Sequence, residues 1–253
     1  MAYHDLVSII IPAHNAESTI ARALESCFAQ NYESLEVCVC VDHCNDGTEL
    51  LLKNIDDKRL KVTTNFGDPG AANARNAAIS LANGRYLAFL DADDEMLPDR
   101  LRKQVEALNG EHKGLCYGDY YVEKNDGSVF LFRPKKNATY SSLLKTNFIG
   151  CSTVMVDKNV VPDFHFPNNA PKREDIAAWL DTFRKYPHVG VYLDEAVSRY
   201  HVGECSVSSS KKRMIKYQWL LYRKTLGIAW IKSVVLMCFW AWNGFWKYRL
   251  KRR

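Results

Sequence analysis

YLAFLDADDEMLPDR, residues 86–100, runs from an apolar stretch directly into four carboxylates, Asp91, Asp93, Asp94 and Glu95. Tyr86 to Leu90 reads as a buried strand. Like charges gathered at the end of a buried strand are costly unless a cation or a donor-rich ligand neutralises them. Asp91 and Asp93, at i and i+2, suit Mg2+ or Mn2+, which take oxygen ligands, keep some water and bind through one or two carboxylates plus ligand phosphates. A second reading, in which Asp91 and Asp94 cap the following helix, accounts for one carboxylate better than for the set.

Outward from this stretch, strands and helices alternate. Leu6 to Ile11 is an apolar strand, and the segment after it places Ile20, Leu24, Cys27 and Phe28 on one helical face. Leu35 to Val41 is a second strand, Thr48 to Ile55 a helix, Leu60 to Thr63 a third strand, and PGAANARNAAISLANG (69–84) an Ala-rich helix that Gly84 ends as a C′ residue. Beyond residue 97, Pro98 suits the first turn of a helix with Leu101, Val105 and Leu108 on its apolar face. After Gly110 the pattern becomes two antiparallel strands joined around Asn125-Asp126-Gly127. Such alternation predicts an α/β fold, a mostly parallel Rossmann-like sheet flanked by helices. Ligands of these sheets sit beyond the carboxyl ends of the strands, where PAHN (12–15), DHCNDG (42–47) and DADD (91–94) bring Asp42, Asp91 and Asp93 together.

The chain of 253 residues is 47% hydrophobic, 25% charged and 12% aromatic, which excludes a disordered segment or a repeat array. MAYHDLVSIIIPAHN has no basic n-region and reads as a first strand rather than a signal peptide. The eight cysteines are scattered through apolar elements, so free thiols in a reducing, cytoplasmic setting are expected. Cys38-x-Cys40-x3-Cys44 beside His43 has metal-site spacing, but EVCVCVD alternates as a strand and turns Cys38 and Cys40 to one face as small core residues. Charge is uneven: residues 211–253 hold twelve Lys or Arg and no acid, leaving 22 basic against 29 acidic residues, about −7, in residues 1–210.

Four ordered segments together resemble the inverting glycosyltransferases of family 2, which have the GT-A fold. They are residues 8–48 (SIIIPAHN through VDHCNDGT), 73–101 with Ala-Arg-Asn and Asp-x-Asp, KREDIAAWL (172–180) and RYHVGECSVS (199–208). The likeness covers residues 6–210, a GT-A domain with a nucleotide-sugar half (1–109) and an acceptor half (110–210); residues 211–253 form a separate helical, basic and aromatic tail. By this resemblance Asp42 accepts a hydrogen bond from the base of a nucleotide-sugar donor, with Pro12, Ala13 and Asn15 on the rim of that pocket. Arg75 reaches the nucleotide, and Asp91 and Asp93 are the Asp-x-Asp pair, Asp93 being favoured for direct contact with Mn2+ or Mg2+. Asp175 is implied as the catalytic base, Glu174 and Trp179 as acceptor-side residues, and Arg199 and His201 as groups near the diphosphate or metal. One departure is Val41, where the family commonly has an Asp before the retained Asp42; His43 and Cys44 also replace small turn residues. Uridine is favoured over guanosine or thymidine as the donor's nucleoside.

The chemistry requires two kinds of carboxylate. Expelling a nucleoside diphosphate builds negative charge that a divalent cation offsets, while the attacking hydroxyl gives its proton to a base on the opposite face, so single displacement inverts the anomeric centre. Plainer readings stand beside each assignment: Glu174 and Asp175 as first-turn acids favoured by the helix dipole, His201 as a surface histidine, Arg75 as a partner of Asp68, and Ser152 and Thr153 as strand residues rather than an acceptor pocket. A sugar-nucleotide pyrophosphorylase would carry a Gly-rich basic phosphate loop, which PAHNAEST lacks. Nucleic-acid binding rests on the tail alone and is not expected. The family and the tail imply a lipid-linked or glycan acceptor in bacterial polysaccharide, capsule or lipopolysaccharide assembly. In the tail, Ser233 to Trp246 is too short to span a bilayer, and Trp219, Trp230, Trp240, Trp242 and Trp246 suit an interface, so peripheral binding to the inner face of the plasma membrane is expected. The alternative is packing onto the body or onto a second copy of the chain.

Overall fold

All side chains of β1 (Val7–Ala13) except Pro12, and all seven of β2 (Leu35–Val41), are buried. Strands apolar on both faces need cover on both faces, and parallel strands with helical crossovers supply it. The computed structural model, which describes residues 5–202 and 211–250, has this arrangement. β1 pairs in parallel with β2 and with β4 (Tyr86–Phe89), and β2 pairs in parallel with β3 (Leu60–Thr64). Among the described residues one nine-stranded sheet runs β3-β2-β1-β4, then β8 (Met155–Asp157), β6 (Leu115–Glu123), β9 (Gly190–His201) and β5 (Glu95–Met96), with β7 (Val129–Phe132) beside β6. The chain moves outward from β1 to β3 and then returns across β1 to β4, and this reversal opens a crevice at the strands' carboxyl ends.

Parallel pairing recurs in the second half between β6 and β9, with antiparallel pairs interleaved. β8 lies antiparallel between β4 and β6, β7 pairs antiparallel with β6, and β5 with β9. The β6–β7 hairpin turns at the expected Asn-Asp-Gly, with Gly127 at φ 77°.

Helices α1 (Ile20–Phe28), α2 (Thr48–Lys53), α3 (Ala71–Ser80) and α4 (Arg100–Glu111) connect the first strands. Ile20, Ala23, Leu24 and Cys27 form the buried face of α1. Gly84 does not cap α3, which ends at Ser80; a Cβ there would lie 2.5 Å from the Leu6 carbonyl oxygen, so its role is close approach to β1. Neither Asp91 nor Asp94 caps α4, which begins at Arg100 after Asp99. Cys38 and Cys40 are fully buried in the core, as the alternation of β2 implies.

Two layers of core lie on the two faces of the sheet. The larger joins β4 and β6 to α5 (Tyr140–Lys145), α6 (Glu174–Lys185) and, beyond α7 (Lys211–Leu220), the π-helical turn Leu221–Thr225 and α8 (Trp230–Leu250). Leu221, Tyr222 and Leu236 belong to the same buried cluster as Trp179, so the boundary at residue 210 does not divide the core. Tyr222 donates to the Leu144 carbonyl at 2.5 Å, and Arg173 stacks 5.6 Å from the Trp240 ring centroid. The tail packs on the body with one face. The opposite face of α8 leaves Trp230, Ile231, Val235, Phe239 and Trp242 exposed. No helix of the described residues is long and apolar enough to cross a membrane. Residues 203–210, with the Ser end of the Arg-x-His…Ser segment and Cys205, lie outside the described residues, as does the Trp246 side chain.

Candidate active site

A cleft of about 1060 Å³ opens at the strand-order reversal, lined by residues from the β1, β2 and β4 loops, the β6–β7 turn and the segment before α6. Pro12, Ala13, Asn15, Asp42, Arg75, Asp91, Asp93 and His201 all line it. At its inner end Asp42 is buried, and its carboxylate accepts from Asn65 Nδ2 at 2.7 Å and from the Gly70 N–H at 2.9 Å. Gly70 adopts φ 154°, ψ 145°, a region that side-chain-bearing residues avoid, and this turns its N–H toward Asp42 at the start of α3. His14 Nδ1 lies 2.6 Å from the Asp42 carbonyl oxygen; since a carbonyl only accepts, Nδ1 carries a proton and donates. Asn15, at φ 48°, accepts from the Asn45 N–H at 2.9 Å and so ties the first loop to the second. Val41 is buried, and Asn65 from the third loop supplies the second polar side chain beside Asp42.

The carboxylates after β4 have three different environments. Asp91 accepts from Arg75 at 2.6 Å, and its own N–H donates to Ser152 Oγ at 3.1 Å. Asp93 faces the cleft; its pKa is raised, first by loss of water and then by Asp91. Asp94 is fully buried, accepting from Ser152 Oγ at 2.5 Å and from the His201 N–H at 3.2 Å. Burial, then Asp91 and Asp93, push its pKa well above the usual carboxylate range. Behind it Arg100, also buried, donates to the carbonyls of Phe89, Ser152 and Val154 and so fixes the 3₁₀ turn Cys151–Thr153 that carries Ser152.

Arg75 joins the two sides of the cleft. From α3 it reaches Asp91 after β4 and, at 3.0 Å, Glu174 at the start of α6. It does not pair with Asp68. Next to Glu174, Asp175 accepts from Asn147 Nδ2 at 2.8 Å, and burial, followed by the Glu174 charge, raises its pKa. A raised pKa makes a carboxylate a stronger proton acceptor. Glu174 and Asp175 are also the first-turn acids of α6, so the plain helix-dipole reading and the site reading describe the same residues.

Trp179 and Thr153 do not face an acceptor. Trp179 is fully buried among Phe89, Phe164 and Phe166, with no partner for its indole N–H among the described residues. It sits four residues beyond Asp175, one helical turn further into the core. Thr153 is 2% exposed, and its hydroxyl donates to the Gly150 carbonyl. Arg199 stands beside the cleft, paired with Glu123 at 2.8 Å and stacked over Tyr121. His201 reaches the cleft wall, but its Nε2 lies 2.7 Å from Glu95 Oε1.

The donor set fits a hard divalent cation. Asp93 and Asp91 present carboxylate oxygens whose mutual repulsion a cation relieves, whereas the His201 ring is engaged by Glu95. Among the described residues no three His, Cys, Asp or Glu side chains converge as a protein-only metal cage, so phosphate oxygens and water would complete the shell. Asp94, Asn65 and Asn147 carry no site role in the sequence motifs. Each acts across 23 to 107 residues of sequence, and only Asp94, next to Asp93, had a local signal.

Residues 8–161 match the family described as glycosyl transferase family 2. The chain is 36% identical over 214 residues to the Escherichia coli UDP-Glc:alpha-D-GlcNAc-diphosphoundecaprenol beta-1,3-glucosyltransferase WfgD, covering 85% of this chain and 84% of the relative. It is 35% identical over 254 residues to WfaP, a second E. coli enzyme of the same description, covering 98% and 99%. Among solved structures, S. aureus TarS 1-349 in complex with UDP-GlcNAc superposes with TM-score 0.70 at 18% identity, over 93% of this chain and 71% of that one. Mannosyltransferase PcManGT from Pyrobaculum calidifontis, in complex with GDP-Man and Mn2+, superposes with TM-score 0.65 at 17% identity, over 90% and 66%. With the Asp-x-Asp segment lining the crevice of a GT-A fold and Arg75 linking it to Glu174 of the Glu-Asp segment, the chain belongs to glycosyltransferase family 2 and is a glycosyltransferase.

Proposed function

We propose that this glycosyltransferase moves a sugar from a UDP-sugar to a hydroxyl of a sugar carried on a polyprenyl diphosphate, with inversion, in the assembly of a bacterial surface polysaccharide. The observation that supports it best is Arg75, which ties Asp91 to Glu174 and so holds the start of α6, with Asp175, against the carboxylates after β4. The names of WfgD and WfaP, similar over most of the chain, supply the donor and acceptor classes.

Asp42, with His14 and Asn65 beside it, receives the nucleoside base, and Pro12, Ala13 and Asn15 border it. Asp93, with Asp91, would hold Mn2+ or Mg2+, which would supply positive charge to offset that on the departing diphosphate. Asp175 accepts the proton of the attacking hydroxyl, and Asn147 aims its carboxylate. Glu174 keeps Arg75 in place. His201 on the cleft wall orients Glu95, and Arg199 beside the cleft orients Glu123. The exposed face of α8, Ile231, Val235, Phe239 and Trp242, rests on the cytoplasmic surface of the membrane, where the basic tail meets anionic lipid.

The test is release of UDP from UDP-glucose on addition of a GlcNAc-diphospholipid, together with thermal stabilisation by UDP plus Mn2+ against GDP, dTDP and ATP. Asp93→Ala and EDTA should each abolish transfer. Asp175→Asn should bind UDP as the parent does and lose transfer by about 10²- to 10⁴-fold, the range of a general base. Full activity in EDTA, or stabilisation by GDP alone, sinks the corresponding part of the reading.

A further inference from the structure

Most cations in and beside the cleft are held by carboxylates: Arg75 by Asp91 and Glu174, Arg22 by Glu95, Arg199 by Glu123. Arg173 is different. It is 8% exposed, makes no ion pair or side-chain hydrogen bond among the described residues, and its Nε has no acceptor. Its one close partner is the Trp240 ring of α8. Burial pulls its pKa below the ordinary value, outweighing the opposing charges of Asp175 and Glu174, neither of which pairs with it directly. Such a charge is costly to maintain.

Its surroundings indicate what it serves. Arg173 immediately precedes Glu174 and Asp175, and Lys172, at φ 60°, lines the donor cleft. Lys145, at the end of α5, lies over Phe239 at 5.3 Å, and its carbonyl accepts from Asn243 of α8 at 3.4 Å. Two residues further on, Asn147 holds Asp175. Neither lysine has a carboxylate within ion-pair distance among the described residues. Arg173, Lys172 and Lys145 thus lack a directly paired carboxylate among the described residues, and Arg173 and Lys145 touch the helix whose outer face is apolar.

We propose that Arg173, with Lys172 and Lys145, binds the diphosphate group of the acceptor. The inference rests on the reading of the acceptor as a diphosphate-linked lipid. A guanidinium binds phosphate oxygens in pairs through its planar fork of N–H donors, and the two ammonium groups add flexible point charges. With the diphosphate there, the sugar extends toward Asp175 and the hydrocarbon chain leaves along α8, past Phe239.

The test measures binding of farnesyl diphosphate to the full chain with the donor site saturated by UDP, with farnesol as the uncharged control. The parent protein should bind farnesyl diphosphate at least tenfold more tightly than farnesol. Arg173→Met should remove that preference, and Arg173→Lys should lower it about fivefold, melting curves reporting whether each folds. Lys172→Ala and Lys145→Ala, at exposed positions, should each weaken farnesyl diphosphate binding two- to fivefold and leave farnesol binding unchanged. Equal affinity for the two ligands, or a preference that survives all four variants, overturns the site. A parent that binds farnesyl diphosphate through Arg173 yet glycosylates no diphospholipid-linked sugar upholds the site and defeats the acceptor reading instead.

Discussion

Replacing Arg75 by Met tests the connection between the two halves of the cleft. Arg75 is 5% exposed, and the change removes hydrogen-bonded ion pairs at 2.6 Å to Asp91 and 3.0 Å to Glu174, and a stack 5.2 Å from the Phe166 ring. Removing one partner of a fully buried ion pair costs about 3–5 kcal/mol, because the other charge is left uncompensated. Here the stranded partners keep some water, with side chains 31% and 14% exposed, so the expected loss is smaller. We expect about 2–3 kcal/mol, a fall in melting temperature of roughly 4–12 °C for a chain of this size. Glu174→Gln, which keeps an acceptor for Arg75 but removes the charge, should cost less. The double variant should lose less than the sum, with a coupling of about 1 kcal/mol or more. The assay is thermal and urea unfolding of the four proteins of the cycle. A melting temperature for Arg75→Met within 1 °C of the parent, or a coupling near zero, would refute the bridge as a structural element.

Asp175 has a raised pKa, so as a base it is lost when pH falls through a value above the ordinary aspartate range, and the acid limb of kcat/KM should lie there. Glu174→Gln removes one cause of the rise and should move that limb to lower pH. The same shift means that the folded state holds this proton more tightly than the unfolded chain. Its contribution to stability is present below the ordinary aspartate value and lost as pH rises through the folded value, so Asp175→Asn should melt higher than the parent at pH 7–8 and a lower melt there would count against it. Ending the chain at Ser210 removes Leu221, Tyr222 and Leu236 from the core and strands the Leu144 carbonyl. At about 1.5–3 kcal/mol for each large buried side chain, the loss approaches the whole stability of a typical domain. Circular dichroism should show no cooperative melt, and a soluble fragment melting near the parent temperature would show that the tail is dispensable.

The alternation of strands and helices, the end of β4 at the Asp-x-Asp segment and the hairpin at Asn125-Asp126-Gly127 were legible in the sequence. Each follows from local periodicity or turn chemistry, which act within a few residues. The loops at the carboxyl ends of β1, β2 and β4 could be grouped for the same reason, since a parallel sheet leaves few topologies open. The sequence also carried the charge asymmetry of the tail and the apolar character of α8. Only the tertiary structure decided which polar groups meet. Asp94 and Ser152, Asn147 and Asp175, and Arg75 with both Asp91 and Glu174 are brought together by sheet order and helix docking, over 16 to 99 residues. It also turned Trp179 and Thr153 inward, because a helix or a 3₁₀ turn presents neighbours one turn apart to different surroundings. The tail was divided in the same way: composition could not say which face of α8 would be covered, and the burial of Ser233 and Leu236 settled it. Local propensity acts through the backbone of a few residues, whereas burial, and with it the free energy of every charge in the cleft, depends on what distant segments leave uncovered.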